Sequence, residues 1–125
     1  MAESFFNSST VISSNSNKGV VRVADDVIAA IAGIAATEVE GVDSLAGDIS
    51  NELVEKLGVR DLSKGIKITI DGSNVRVEAS LIVKSTASLI EVSEAVQDKV
   101  KSTIESMTGL SCNGVDVRIM GVAVV

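Results

Sequence analysis

The longest periodic stretch of the chain reads Val23-Ala-Asp-Asp-Val-Ile-Ala-Ala-Ile-Ala-Gly-Ile-Ala-Ala-Thr-Glu-Val-Glu-Gly41. Apolar residues recur in it at spacings of three and four, which is typical of an α-helix with one stripe facing a core. Asp25 and Asp26 suit the first turn, where the helix dipole favours carboxylates, and Gly41 can adopt the left-handed conformation that ends a helix. The stretch therefore predicts an amphipathic helix whose core stripe comprises Val27, Ile28, Ile31, Ile34, Ala35 and Val39.

The opposite side of this helix carries small, almost uncharged residues, where a solvated helix usually carries long polar side chains. A glycine inside a helix costs about 1 kcal/mol relative to alanine, and close approach of another backbone can offset that cost. We therefore expect a contact surface for self-association or for a partner, unless a second helix of the same chain covers it. Its residues are Ala29, Ala30, Gly33, Ala36 and Thr37.

Glu38 falls beside Val27 and Ile31 on the helical wheel, on the predicted core stripe. One interpretation is a carboxylate near the helix end that reaches water or an arginine such as Arg22 or Arg60. The other is a buried, functional carboxylate in a pocket, which would need a charged partner. The pattern favours the first interpretation.

Composition limits the classes of function. The chain has 125 residues, a net charge of −6 and no His, Pro, Trp or Tyr, so we expect a single domain with an aliphatic core. The acidic balance argues against binding to nucleic acid or to anionic lipid. The lone Cys112 suits a reducing cytoplasm as an inert thiol. No signal-peptide pattern or membrane-spanning run is present, so we expect a cytoplasmic protein that a partner can hold at the inner face of the membrane, without direct insertion.

Residues 1–18 are rich in Ser and Asn and lack a period, which predicts a disordered tail ahead of a single domain at residues 19–125. Phe5 and Phe6 are either incidental tail residues or a short docking motif. Residues 19–23 alternate as a short strand. Residues 42–47 are predicted to be a connection, residues 48–58 a short helix capped by Asp48, and residues 59–64 a polar link.

Two alternating runs at residues 66–71 and 74–84 predict a β-hairpin. A turn at Asp71-Gly72 would place Lys67 opposite Arg76. A turn at Gly72-Ser73 would place Lys67 opposite Glu78. Cross-strand charge pairing favours the second register.

Residues 88–91 resemble a capping box that opens a long helix ending before Gly109. Residues 115–120 alternate as a last strand, and the apolar residues 122–125 have no obvious cover. The resulting order is β-α-(α)-β-β-α-β, which predicts an α+β fold with a mostly antiparallel sheet and both main helices on one side. A ferredoxin-like arrangement is the first expectation. The predicted stripe of the long helix comprises Leu89, Val92, Val96, Val100, Ile104 and Met107.

The residues of common catalytic and metal sites are missing. Without histidine, and with one cysteine, the chain cannot form a zinc site, and no GxxxxGK[ST], GxGxxG, CxxC or GxSxG motif occurs. The nucleic-acid signatures, a GxxG loop and aromatic residues on strands, are absent too. Carboxylates cluster at Asp25, Asp26, Glu38 and Glu40. An oxygen-ligand metal site is one interpretation, but the two groups lie at opposite ends of one helix, which favours capping and solvation. We therefore expect no catalytic, cofactor-binding or metal-binding residues.

Six segments, in order along the chain, carry a resemblance to a known family: Val23-Ala24 with Val27-Ile28, Ile31-Ala-Gly-Ile-Ala-Ala36, Glu38-Val-Glu-Gly-Val42, Leu62-Ser-Lys-Gly-Ile66, Met107-Thr-Gly-Leu110 and Val115-Asp-Val-Arg-Ile-Met-Gly-Val122. Over about residues 19–122 the chain resembles the bacterial alkaline shock protein, or envelope stress response, family. That family commonly has Pro at the position of Asp25 and an aromatic residue or Pro in the loop at residues 84–88, and this chain has neither.

The resemblance implies a small, non-enzymatic bacterial protein that self-associates and has protein partners at the cell envelope. It implies a link to envelope stress or lipid metabolism and supplies no catalytic residues. The alternative is a small-molecule or metal-binding domain that uses Glu38 and its neighbours.

Overall fold

The computed structural model describes residues 9–15, 17–46 and 65–124. These residues form six strands and two helices in two sheets, one of two strands and one of four. The predicted α+β class and the single domain are confirmed. In chain order the elements are β1 (Ser9–Asn15), β2 (Gly19–Ala24), α1 (Asp25–Thr37), β3 (Val42–Leu45), β4 (Ile66–Asp71), β5 (Asn74–Lys84), α2 (Leu89–Thr108) and β6 (Ser111–Ala123).

β5 is the centre of the four-stranded sheet. β6 pairs with it in parallel over its whole length, so the antiparallel strands β3 and β4 share the opposite edge. Where β3 and β4 meet, the backbone N–H of Ala46 donates to the carbonyl oxygen of Ser80, and the N–H of Ser80 donates to the carbonyl oxygen of Gly65, each at 2.8 Å. Lys67 lies opposite Glu78, so the predicted register with the Gly72-Ser73 turn is confirmed.

The core lies between this sheet and both helices. Alternate residues of β5 are fully buried, and they form one cluster with side chains of α1 and α2. The intervening residues of β5, from Arg76 to Lys84, are exposed or half-buried. The helices therefore cover one side of the sheet, as predicted, and leave the other side open. The fully buried side chains include Ile28, Val75, Val77, Leu81, Val83, Val96, Val100 and Ile104, and each such burial contributes about 1.5–3 kcal/mol.

The ferredoxin-like arrangement is wrong, because the strand before α1 does not enter the main sheet. β2 pairs instead with β1, in an antiparallel hairpin of its own. The predicted disorder of residues 1–18 is therefore wrong for Ser9–Asn15. Thr10 is buried and its hydroxyl donates to Asp25 at 2.9 Å, and Ile12 packs on the core, so two inward residues anchor a serine-rich strand. Phe5 and Phe6 lie outside the described residues.

Three further boundaries differ from the prediction. The connection expected at residues 42–47 contains β3, because Val42 and Leu45 are buried against β5. The last strand runs from Ser111 to Ala123, so it includes part of the apolar C-terminal segment, while Val124 is 89% exposed. The short helix predicted at residues 48–58 and the link at residues 59–64 lie outside the described residues.

α2 begins after Ser88 and ends before Gly109, as predicted, and Gly109 has a φ of 76°. Within the described residues the Ser88 side chain makes no capping hydrogen bond, so the predicted capping box is wrong. The buried stripe of α2 is also shorter than predicted, because Leu89 and Met107, at the two ends of the helix, are exposed. Thr108 is buried instead, and its hydroxyl donates to the Ile104 carbonyl oxygen at 2.6 Å.

Candidate interaction surfaces

Helix α1 is rotated relative to the prediction. Its small residues Ala29, Gly33 and Ala36 are buried within this chain, and α1 contacts α2, β3 and β4. Small side chains allow helices and sheets to approach closely, which explains why this side of α1 turns inward. Ala30 and Thr37, the other two residues of the predicted contact surface, are half-buried at its margin.

Two of the larger side chains of α1, Val27 and Ile34, lie on its outer side instead, while Ile28 is buried as predicted. Val27 is 48% exposed and Ile34 is 43% exposed, so their predicted core positions are wrong. Val27, Ala30, Ile31 and Ile34 are spaced by three and four residues and therefore share one side of the helix. We call these four residues the outer stripe. It is an apolar surface that solvent reaches.

The two ends of the outer stripe are acidic. Asp25 and Asp26 occupy the first turn of α1. Glu38 and Glu40 follow its last turn, and both are exposed. An apolar surface with carboxylates at both ends favours a partner that combines apolar and basic groups, because opposite charges attract and like charges repel.

Glu38 is exposed on the surface. It is the C-cap residue of α1, its side chain is 56% exposed, and its Oε2 atom lies 3.4 Å from Nζ of Lys99 on α2. The interpretation of Glu38 as a buried carboxylate is therefore wrong. The expected arginine partner is a lysine instead. At this exposure, the ion pair contributes at most about 1 kcal/mol.

The open side of the sheet carries two ion pairs between β5 and β6. Nε and Nη2 of Arg76 donate to the two carboxylate oxygens of Asp116, at 3.1 and 2.9 Å, in a bidentate pair. Nη1 of Arg118 donates to Oε1 of Glu78 at 2.8 Å. The Arg76 guanidinium lies over Gly114, where an added β-carbon would be 2.7 Å from Nη1. Charges of opposite sign therefore alternate along this side of the two strands.

A groove of about 500 Å³ separates the end of α1 from the start of α2. Its polar residues are Glu40, Lys84, Thr86, Ser88 and Glu91, and its walls include Gly41 and Val92. Within the described residues, no group of three or more Cys, Asp and Glu side chains is placed to hold a metal ion.

The single thiol, Cys112, is buried at the start of β6. Its backbone N–H donates to the Glu105 carboxylate at 3.0 Å. Burial raises the pKa of the Cys112 thiol, and the Glu105 carboxylate acts in the same direction. Because the thiolate is the nucleophilic form, this environment suits a structural cysteine, as predicted from the sequence.

Neither described helix is long and apolar enough to cross a membrane.

Comparisons with known proteins match most of the chain. The model of the alkaline shock protein 23 family, described by its cell envelope-related function, matches residues 13–124. The uncharacterized protein YqhY of Bacillus subtilis is 34% identical over 104 residues, which cover 83% of this chain and 77% of YqhY. The uncharacterized protein YloU of the same organism is 31% identical over 108 residues, which cover 85% of this chain and 90% of YloU.

A third relative, the uncharacterized protein Spy1614 of Streptococcus pyogenes, is 29% identical over 113 residues, which cover 89% of this chain and 93% of Spy1614. No solved structure matches the chain.

Proposed function

The chain belongs to the alkaline shock protein 23 family, whose function is cell envelope-related, and from this membership we propose that it is a non-enzymatic scaffold of the bacterial envelope stress response. In this proposal the protein is cytoplasmic, self-associates, and docks on protein partners that belong to the membrane or to lipid metabolism. A partner recruits it to the inner face of the membrane.

The outer stripe of α1 is the observation that carries this proposal. Burying an apolar side chain completely contributes about 1.5–3 kcal/mol, and Val27 and Ile34 retain nearly half of their exposure. A helix or groove that covers the outer stripe recovers this contribution. Helix-in-groove recognition uses the same spacing of three, four and seven residues that Val27, Ile31 and Ile34 show.

The acidic ends of the outer stripe support a protein partner over a lipid surface. The cytoplasmic leaflet is negatively charged, so Asp25, Asp26, Glu38 and Glu40 disfavour direct binding of this surface to lipid. Cytoplasmic segments next to membrane-spanning helices are rich in Lys and Arg. A basic, partly apolar segment of a membrane protein therefore complements both the apolar stripe and its acidic ends.

The test compares two variants in bacterial cells that lack the native copy. Val27→Ser with Ile34→Ser removes the two most exposed apolar side chains of the outer stripe, and Met107→Ser changes an apolar residue on α2 that is even more exposed. We expect the double variant to move from the envelope fraction to the soluble fraction, and the Met107→Ser control to remain with the envelope. The melting temperature of each purified variant verifies that it is folded. An unchanged envelope fraction for a folded double variant contradicts the proposal.

A further inference from the structure

Among the described strands, only β5 pairs with β6, which leaves the other edge of β6 unpaired within that part of the chain. β6 is 13 residues long. An edge strand presents a row of free N–H and C=O groups that can pair with another strand, and proteins commonly block such edges with Lys or Pro. β6 contains neither residue. Its outer edge is therefore a template for an added strand.

Two irregularities bound the regular part of β6. The register with β5 shifts between Cys112 and Gly114 and again between Ile119 and Gly121. Bulges of this kind interrupt pairing locally. The six residues 114–119 remain regular, which is enough for a short ladder.

We propose that a second copy of the chain pairs with this edge, so that the two β6 strands lie antiparallel about a twofold axis at Val117. This inference rests on the self-association in the proposed function and names its surface. In this register Val117 lies opposite the partner's Val117, and Asp116 lies opposite the partner's Arg118. The two four-stranded sheets then form one continuous sheet.

Charge selects this register over its neighbours. An axis at Asp116 would place Asp116 opposite its own copy, and an axis at Arg118 would place two arginines opposite each other. Like charges directly opposite are destabilising, whereas opposite charges stabilise a cross-strand pair. A shift by one residue would instead turn the helix-facing side chains of one copy to the open side of the other.

The same register extends the ion pairs of the open side. Arg76 already pairs with Asp116, and Arg118 pairs with Glu78. Across the axis, the row becomes Arg76, Asp116, the partner's Arg118 and the partner's Glu78, with the sign of the charge alternating at every step. On the helix-covered side, Val117 and Ile119 pack against the core and are half-buried, so a second copy also covers apolar surface.

Two side chains of α2 already contact the backbone of this strand, and one of them, Glu105, accepts from the N–H of Cys112 ahead of the regular part. Nε2 of Gln97 on α2 donates to the carbonyl oxygen of Val115 at 3.1 Å. A carbonyl oxygen has two lone pairs, so this contact leaves one acceptor site for a partner strand.

Two charge-reversal variants test the pairing. Arg118→Asp leaves only acidic residues at positions 116 and 118, and Asp116→Arg leaves only basic ones. Sedimentation velocity should show a dimer for the native chain and at least about tenfold weaker dimerisation for each variant alone. An equimolar mixture of the two variants should restore the dimer, because both cross-strand pairs then join opposite charges.

A cross-linking measurement tests whether the twofold axis passes through Val117. Val117→Cys in a Cys112→Ala background should form an intermolecular disulfide on mild oxidation, since opposite residues of antiparallel strands lie about 4.5–5.5 Å apart, within disulfide range. Met107→Cys in the same background is the exposed control and should cross-link far less. If oligomers form but Val117→Cys does not cross-link and the mixture of charge variants does not restore the dimer, the edge pairing is wrong. Self-association by another surface would then remain possible within the proposed function. A native chain that stays monomeric overturns both.

Discussion

Gly41 lies so close to Val92 that a β-carbon on Gly41 would be 2.6 Å from Cγ2 of Val92 and 3.0 Å from Cβ of Ala87. Gly41 also has a φ of 100°, and its carbonyl oxygen accepts a hydrogen bond from the N–H of Lys84 at 2.8 Å. The segment after α1, the end of β5 and the start of α2 therefore meet at a residue that has no side chain.

Gly41→Ala should lower the free energy of unfolding by about 2–4 kcal/mol, because it adds backbone strain and a steric clash. Gly19→Ala is the matched control, since Gly19 has a φ of 102° and no atom within 4 Å of an added β-carbon. The control should cost about 1–2 kcal/mol, from the backbone alone. Urea unfolding followed by circular dichroism measures both. Equal losses would show that the Val92 contact is unimportant.

Ile28 and Ile34, two of the three isoleucines of α1, should respond differently to truncation. Ile28 is fully buried, so Ile28→Ala should cost about 2–5 kcal/mol through lost burial and a cavity. Ile34 is 43% exposed, so Ile34→Ala should cost less than about 1 kcal/mol. The same unfolding measurement compares the two variants. A larger loss for Ile34→Ala would contradict the rotation of α1 described above.

Removing the Glu38 carboxylate should have little effect on stability. Both side chains of the Glu38–Lys99 pair are about half exposed, so the coupling energy should be below about 1 kcal/mol and should fall with added salt. A double-mutant cycle of Glu38→Gln and Lys99→Met measures this coupling directly. A coupling of several kcal/mol that persists in 1 M salt would show that Glu38 is held in a buried site.

The Cys112 thiol should react slowly with a thiol-specific reagent in the folded protein. Burial raises its pKa, so less thiolate is present at pH 8 than in the urea-unfolded chain. An aromatic disulfide reagent releases a coloured thiolate when it reacts, and its absorbance measures the reaction rate of the folded and of the unfolded chain. Equal rates in the folded and unfolded chains would contradict this environment.

The same pKa shift makes the free energy of unfolding vary with pH in the alkaline range. Because the pKa is raised in the folded state, the thiol's contribution to the free energy of unfolding is fully present below the unfolded-state pKa of about 8.5. It is lost as the pH rises through the folded-state pKa. The native chain should therefore lose more stability than Cys112→Ala between neutral pH and about pH 10. Parallel losses in the two proteins would contradict the shift.

Local patterns accounted for several elements without any knowledge of the tertiary structure. The pairing of Lys67 with Glu78 follows from strict alternation, a two-residue turn and the charges of neighbouring strands, all of which act within 20 residues. The buried stripe of α2, from Val92 to Ile104, follows from its spacing of four, because the other side of that helix is polar. The family resemblance rests on segments spread along the domain, and the family comparison confirms it.

The serine-rich segment Ser9–Asn15 shows where a local pattern fails. Thr10 is buried and Ile12 packs on the core, and the strand is stabilised by pairing with β2 and by the Thr10 contact with Asp25. Both partners lie outside the segment, in β2 and at the start of α1. Composition within the segment therefore does not reveal the strand.

The orientation of α1 also depends on contacts between distant parts of the chain. This helix is apolar on both sides, so its periodicity is compatible with burying either the large residues or the small ones. Packing against α2 and the sheet buries the small residues together with Ile28, because close approach of backbones leaves little room for further large side chains between them. That long-range choice exposes Val27 and Ile34, brings Glu38 to the surface near Lys99, and leaves the outer stripe accessible to solvent.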